Sequence, residues 1–189
     1  MAVPSFYRVD KRKRKLQETL RFVVNFMAAV TFAVMIGFYF VSPITVTGRS
    51  MESVLSDGNV VLVNRLTYLF QEPERLQLVY FKSQSGNGEE RTLIRRVIGL
   101  PGETIQMKDG QLYVNGSPLA LRDQLDKAVL SGLASEPVIL GENEYFVLGD
   151  NRDNSEDSRF ESVGNVRRAD LIGKVWFKLE PLDEMGFVK

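Results

Sequence analysis

Neither cysteine nor histidine occurs anywhere in the 189 residues. Without imidazole or thiol there is no Ser-His-Asp triad, no cysteine nucleophile, no zinc site of the Cys/His kind and no disulfide framework. Any hydrolysis must therefore run on hydroxyls, carboxylates, lysine, tyrosine or a hard metal. Net charge is missing too, with 24 Lys+Arg against 24 Asp+Glu. That balance averages two unlike regions. Residues 1–21 carry seven basic and two acidic side chains, so the rest of the chain is acidic by the same margin of five.

Charge is also absent from Phe22–Val41, twenty residues in which Asn25 is the one strongly polar side chain. As a helix this stretch would be roughly 30 Å long, the hydrocarbon thickness of a bilayer. A cleavable leader would end on small residues, whereas Phe38-Tyr39-Phe40 is bulky and aromatic. The run Lys11-Arg12-Lys13-Arg14-Lys15 stands directly before the apolar stretch. It reads as a positive-inside signal rather than a nucleic-acid patch. The expected organisation is a cytoplasmic basic segment over 1–21, a transmembrane helix over 22–41 and an extracytoplasmic domain over 42–189. The expectation is a single-pass protein of the cell membrane with the bilayer as a partner and no nucleic acid.

Beyond Pro43 the pattern changes to short β segments. Ile44–Thr47, Val60–Val63, Leu76–Lys82, Leu93–Leu100, Thr104–Met107, Leu112–Val114, Val138–Leu140, Tyr145–Leu148 and Leu171–Leu179 read as strands. Asp109-Gly110 and Asn115-Gly116 mark tight turns. Leu119–Leu133 is either a helix or an ordered loop. The fold class expected is mainly β, an antiparallel domain on a single N-terminal helix. Leu66–Phe70 and Trp176-Phe177 are expected in the core, with an exposed patch resting in the bilayer interface as the alternative.

Three segments carry chemistry in order: Gly48-Arg49-Ser50-Met51, then Ile94-Arg95-Arg96-Val97, then Gly149-Asp150-Asn151-Arg152-Asp153-Asn154-Ser155-Glu156-Asp157-Ser158-Arg159. The third is no calcium loop, because Ser155 would stand where the sharp turn wants glycine. Taken together behind an apolar anchor, the three resemble the bacterial type I signal peptidases, membrane-bound serine endopeptidases that remove signal peptides from exported preproteins. The resemblance covers the anchor and nearly all of the following domain.

That resemblance implies a Ser/Lys dyad on a β fold, without cofactor or metal. Ser50 matches the nucleophile, and its own backbone N–H would be an oxyanion donor. Gly48 stands where some members place a second hydroxyl donor. Ser155 matches the hydroxyl that orients the catalytic lysine, and Asp157 and Arg159 match a supporting buried ion pair. The place of the general-base lysine is filled by Arg95, and a guanidinium does not give up its proton at physiological pH. Lys82, Lys108, Asp150, Asp157 and Tyr145 are poor substitutes, the aspartates because pairing with Arg152 or Arg159 would weaken them as bases. Substrate would bind extended, with Ile44, Val46, Met51 and Ile94 lining the groove and exported preproteins as the partners. The alternative raised by Arg95 is a catalytically silent relative that holds extended peptides or assists assembly of surface proteins.

Overall fold

The computed structural model describes residues 5–84, 88–119 and 130–188. The chain divides at residue 40 into a helical unit and a β-rich unit. The helical unit is α1, Ser5–Phe40, continuous through the basic segment. From Lys13 to Met35 it is long and apolar enough to cross a membrane, and none of that window is buried in protein. Phe22, Phe26 and Phe32 are at least 60% exposed, an unfavourable arrangement in water that lipid would relieve. Val41 lies outside the helix, because it is drawn into a strand opposite Asn64.

The β unit comprises β1 (Val41–Thr45), β2 (Val60–Asn64), β3 (Leu78–Gln84), β4 (Glu90–Gly99), β5 (Thr104–Lys108), β6 (Gln111–Val114), β7 (Ser117–Pro118), β8 (Val138–Ile139), β9 (Glu144–Leu148), β10 (Val166–Arg167), β11 (Leu171–Glu180) and β12 (Gly186–Phe187), with a short helix α2 (Thr67–Phe70) after β2. The larger sheet runs β1-β2-β11-β3-β4-β9-β10, with β12 on β11, and the smaller runs β7-β6-β5-β8. Every pairing in both is antiparallel.

Local chemistry explains several boundaries. Asp109 and Gly110 both take positive φ, as do Asn115 and Gly116, the conformation of two-residue hairpin turns whose twist matches the flanking strands. These turns join β5 to β6 and β6 to β7. The third strand starts at Leu78 rather than Leu76, whose φ of 71° turns the chain out of the ladder. β4 begins three residues earlier than its apolar run suggests, because polar Glu90–Thr92 pair with Lys82–Gln84 across the hairpin. Of the uncertain 119–133 stretch, residues 120–129 lie outside the described residues, and Gly132–Ser135 form one 3-10 turn.

Ile94 through Gly99 are all buried, so this half of β4 is covered on both faces. Ile94 packs with Val46, Met51 and Leu78, while Val97 packs with Val79, Phe81 and Val147, and Ile98 packs with Ile105 and Phe146. One strand thus joins three apolar clusters, each fully buried side chain contributing about 1.5–3 kcal/mol. The expectation for Leu66–Phe70 is corrected in part. Tyr68 enters the core and its hydroxyl meets Gln77 at 3.3 Å, whereas Leu69 and Phe70 are 66% and 83% exposed. A four-residue helix has one inward position here, so its neighbours face out. Trp176, Phe177 and Phe187 form an aromatic cluster with ring centroids 5.4–5.8 Å apart.

Candidate active site

The loop between β1 and β2 is closed by backbone bonds, Val46 N–H to the Asn59 carbonyl at 2.8 Å and Gly58 N–H to the Val46 carbonyl at 2.9 Å. Inside it, Met51 and Leu55 are buried apolar plugs at 1% and 0% exposure, tied by a Leu55 N–H bond to the Met51 carbonyl at 2.7 Å. Ser50 sits directly before this plug, which fixes where its side chain can point. The N–H of Gly48 is used up on Asp57 Oδ1 at 2.8 Å. Among the described residues the Ser50 N–H donates to nothing, so it is the free donor beside the hydroxyl.

Arg95 comes to Ser50 from β4. Its Nη1 donates to Ser50 Oγ at 2.8 Å and to the Ile94 carbonyl at 2.6 Å, while Nε and Nη2 both donate to the Glu156 carbonyl, at 2.8 and 2.6 Å. Arg96, next along the strand, makes a two-pronged ion pair with Asp150, at 2.7 and 2.6 Å. Sequence reasoning missed this pairing and set Asp150 against Arg152 instead. The available signal was two adjacent arginines in an otherwise apolar strand, which requires a buried acceptor for each.

The 149–159 segment supplies those acceptors. Asp157 and Arg159 form a buried two-pronged pair, Nε to Oδ1 at 2.8 Å and Nη2 to Oδ2 at 2.9 Å. Arg159 also holds the carbonyls of Arg152 and Leu130 at 2.6 and 2.9 Å, and Asp157 Oδ2 accepts from Gly149 N–H at 3.0 Å. Asn151 N–H donates to the Ser50 carbonyl at 3.0 Å, tying this segment to the serine loop. Ser155 Oγ is buried and has no hydrogen-bond partner among the described residues. It lies against Gly149, where an added Cβ would come within 2.1 Å of that hydroxyl and 2.6 Å of the Ser50 carbonyl. Gly149→Ala is therefore expected to cost about 1–3 kcal/mol through overpacking, read as a lower thermal midpoint. An unchanged midpoint would contradict the close approach.

The electrostatics of Arg95 follow from burial. Desolvation is the largest influence and brings its pKa down from 12.5 to about 10, which leaves it a cation at neutral pH. Outside, Glu156 is held down to about 2 by hydrogen bonds from Arg91 and Ser162. The substitute bases lie elsewhere. Lys82 is solvent-exposed and paired with Glu90 at 2.6 Å, which raises its pKa. Tyr145 donates to Glu72 at 2.6 Å and is pushed up to about 12, chiefly by burial. Among the described residues Arg95 makes the one hydrogen bond to Ser50 Oγ.

A cleft of about 80 Å³ leads to this pair, with Ile44–Thr47 on one side and Thr92–Arg95 on the other, and with Ser50 and Met51 in its lining. The structure therefore brings Ile44, Val46, Met51 and Ile94 to one cleft with Ser50 and Arg95, and leaves Gly48 outside that lining. Both walls are open strand edges. β1 pairs with β2 alone, and β4 pairs with β9 only from Arg96 onward.

The sequence model of the family described as signal peptidase, peptidase S26, matches residues 19–179. Signal peptidase I of Bacillus amyloliquefaciens is 34% identical over 186 residues, spanning 95% of this chain and 97% of that protein. Signal peptidase I T of Bacillus subtilis (strain 168) is likewise 34% identical over 186 residues, spanning 94% and 93%. The chain belongs to the signal peptidase S26 family. It thus falls among serine endopeptidases of the signal peptidase I type. A crystal structure of a signal peptidase I from Enterococcus faecalis V583 aligns with a TM-score of 0.42 and 29% identity, covering 56% of this chain and 97% of that one.

Proposed function

We propose that the chain removes signal peptides from exported preproteins at the outer face of a membrane that α1 crosses, with Ser50 as nucleophile. Lys11–Lys15 and the other basic residues of 1–21 favour an N-terminus in the cytoplasm, so that residues from 42 onward lie outside it. The observation that carries the reading is the cleft, two open strand edges that end on a serine with a free backbone N–H. An extended peptide laid between them completes both edges with main-chain hydrogen bonds, and the apolar walls suit small side chains.

The chemistry at Ser50 differs from a lysine dyad. Arg95 keeps its proton, and a cation 2.8 Å from Oγ favours the alkoxide over the alcohol. The hydroxyl proton passes to solvent water, Oγ attacks the scissile carbonyl, and the Ser50 N–H receives the developing oxyanion. The C–N bond then breaks with the amine taking a proton from water, and a second water hydrolyses the Ser50 ester to a carboxylate and restores the hydroxyl. The silent alternative has less support, since family membership and the retained serine both favour hydrolysis.

The test is to incubate full-length protein in lipid with an exported precursor. Cleavage by the natural chain should vanish in Ser50→Ala. Its rate should climb roughly tenfold per pH unit between pH 7 and 9, because hydroxide or deprotonation limits it. Precursor left equally intact by both proteins would overturn the proposal.

A further inference from the structure

Arg96 and Arg159 are each neutralised by an aspartate at hydrogen-bond distance. Arg95 is treated differently. It is 4% exposed, and its donors meet two carbonyls and a hydroxyl. No carboxylate among the described residues lies within 4.0 Å of it. The carboxylates of Asp157 and Glu156 favour its charge only from beyond contact, and burial still penalises it, so an anion delivered into hydrogen-bond contact is correspondingly welcome.

We propose that the Ser50–Arg95 end of the cleft is a carboxylate site, which captures extended peptides by a free C-terminal carboxylate. This rests on the reading of the cleft as a peptide groove. Three observations converge. Arg95 belongs to the cleft lining, and its Nη1 reaches the end of the cleft at Ser50 Oγ, 2.8 Å away. The Ser50 N–H, unused among the described residues, stands beside it as a second donor. The open edges of β1 and β4 run an extended chain toward that point. An uncut peptide brings a neutral amide there, whereas a cut one brings a carboxylate that can accept from a guanidinium and an N–H together. A neutral lysine amine in this place would create no such preference, so the preference is a property of this chain's arginine. The cleft then holds a signal peptide after cleavage more firmly than before it.

The measurement is binding of a short fluorescent peptide ending in Ala-Gln-Ala to the full chain in detergent at pH 7, as the free acid and as the C-terminal amide. The acid is expected to bind roughly ten- to a hundredfold more tightly, the worth of a charge-assisted hydrogen bond. In Arg95→Gln the two forms should bind alike, at the affinity of the amide. Equal affinity of acid and amide for the natural chain would overturn the carboxylate site and leave the peptide groove standing. Failure of both forms to bind would overturn the carboxylate site and the peptide groove together. Persistence of the acid preference in a folded Arg95→Gln protein, checked by its thermal transition, would remove Arg95 from the explanation. The acid–amide comparison on the natural chain needs no variant, so it holds even if Arg95→Gln fails to fold.

Discussion

Arg95→Lys is expected to raise precursor cleavage by roughly 10²–10⁴-fold, the usual worth of a positioned general base. The environment that brings the guanidinium down to about 10 by desolvation would act on a lysine from a lower starting point, so that its amine gives up its proton far more readily and then faces Ser50 with a lone pair. Two features of the natural site are already suited to that amine. Ser155 Oγ is buried and without a hydrogen-bond partner among the described residues, so it can bond an amine that comes within reach. Ser50 Oγ, which now accepts from Arg95, could instead donate its proton. The pH profile should change with the rate. The natural chain climbs with pH, and the lysine variant should level off once its amine is neutral. Purified Arg95→Lys protein with an unaltered thermal transition and no gain in cleavage would rule out a site lacking only its base. The same variant should lose most of its preference for a carboxylate-ended peptide at the pH where its cleavage levels off, because a neutral amine offers no charge.

The second large effect is on stability. Arg159→Met should lower the free energy of unfolding by about 3–5 kcal/mol, the range for breaking a buried ion pair from one side, and the midpoint by roughly 6–20 °C. The cost has two parts. Asp157, fully buried, would be left a charge without its partner, and the Arg152 and Leu130 carbonyls would lose their donor. The double variant Asp157→Asn/Arg159→Met should be less unstable than the two single changes summed. Midpoints that simply add would show that the pair is not energetically coupled. Asp157 also accepts from Gly149 N–H, so loss of the pair should lower cleavage beyond what partial unfolding explains.

What could be read from the sequence was chiefly what depends on neighbours along the chain. Asp109-Gly110 and Asn115-Gly116 specify their turns by backbone preference alone, and both form hairpins. The strands with apolar runs were visible for the same reason. Strand ends set by a distant partner were not, as with Val41 opposite Asn64 or Glu90–Thr92 opposite Lys82–Gln84. β10 and β12, two residues each, are too short to carry a periodicity. The motifs singled out Ser50, Arg95, Ser155, Asp157 and Arg159, but which atoms meet is a matter of packing. The Arg96–Asp150 pair joins residues 54 apart, and the Arg95–Glu156 clamp joins residues 61 apart. A main-chain carbonyl such as that of Glu156 carries no side-chain identity, so no residue pattern could have pointed to it.

The shortness of the stretch between α1 and Ser50 acts as a leash. The helix ends at Phe40 and nine residues separate it from Ser50. Fully extended, nine residues reach roughly 30 Å, and five of these are already committed to β1. With α1 in a bilayer and Ser50 as nucleophile, as proposed, the serine would attack only bonds within that radius of the end of α1, whatever their sequence. A bond equally small and extended but carried further out on a long soluble spacer would escape it, so under the proposed topology selection would act by height above the lipid as well as through the residues the cleft accepts.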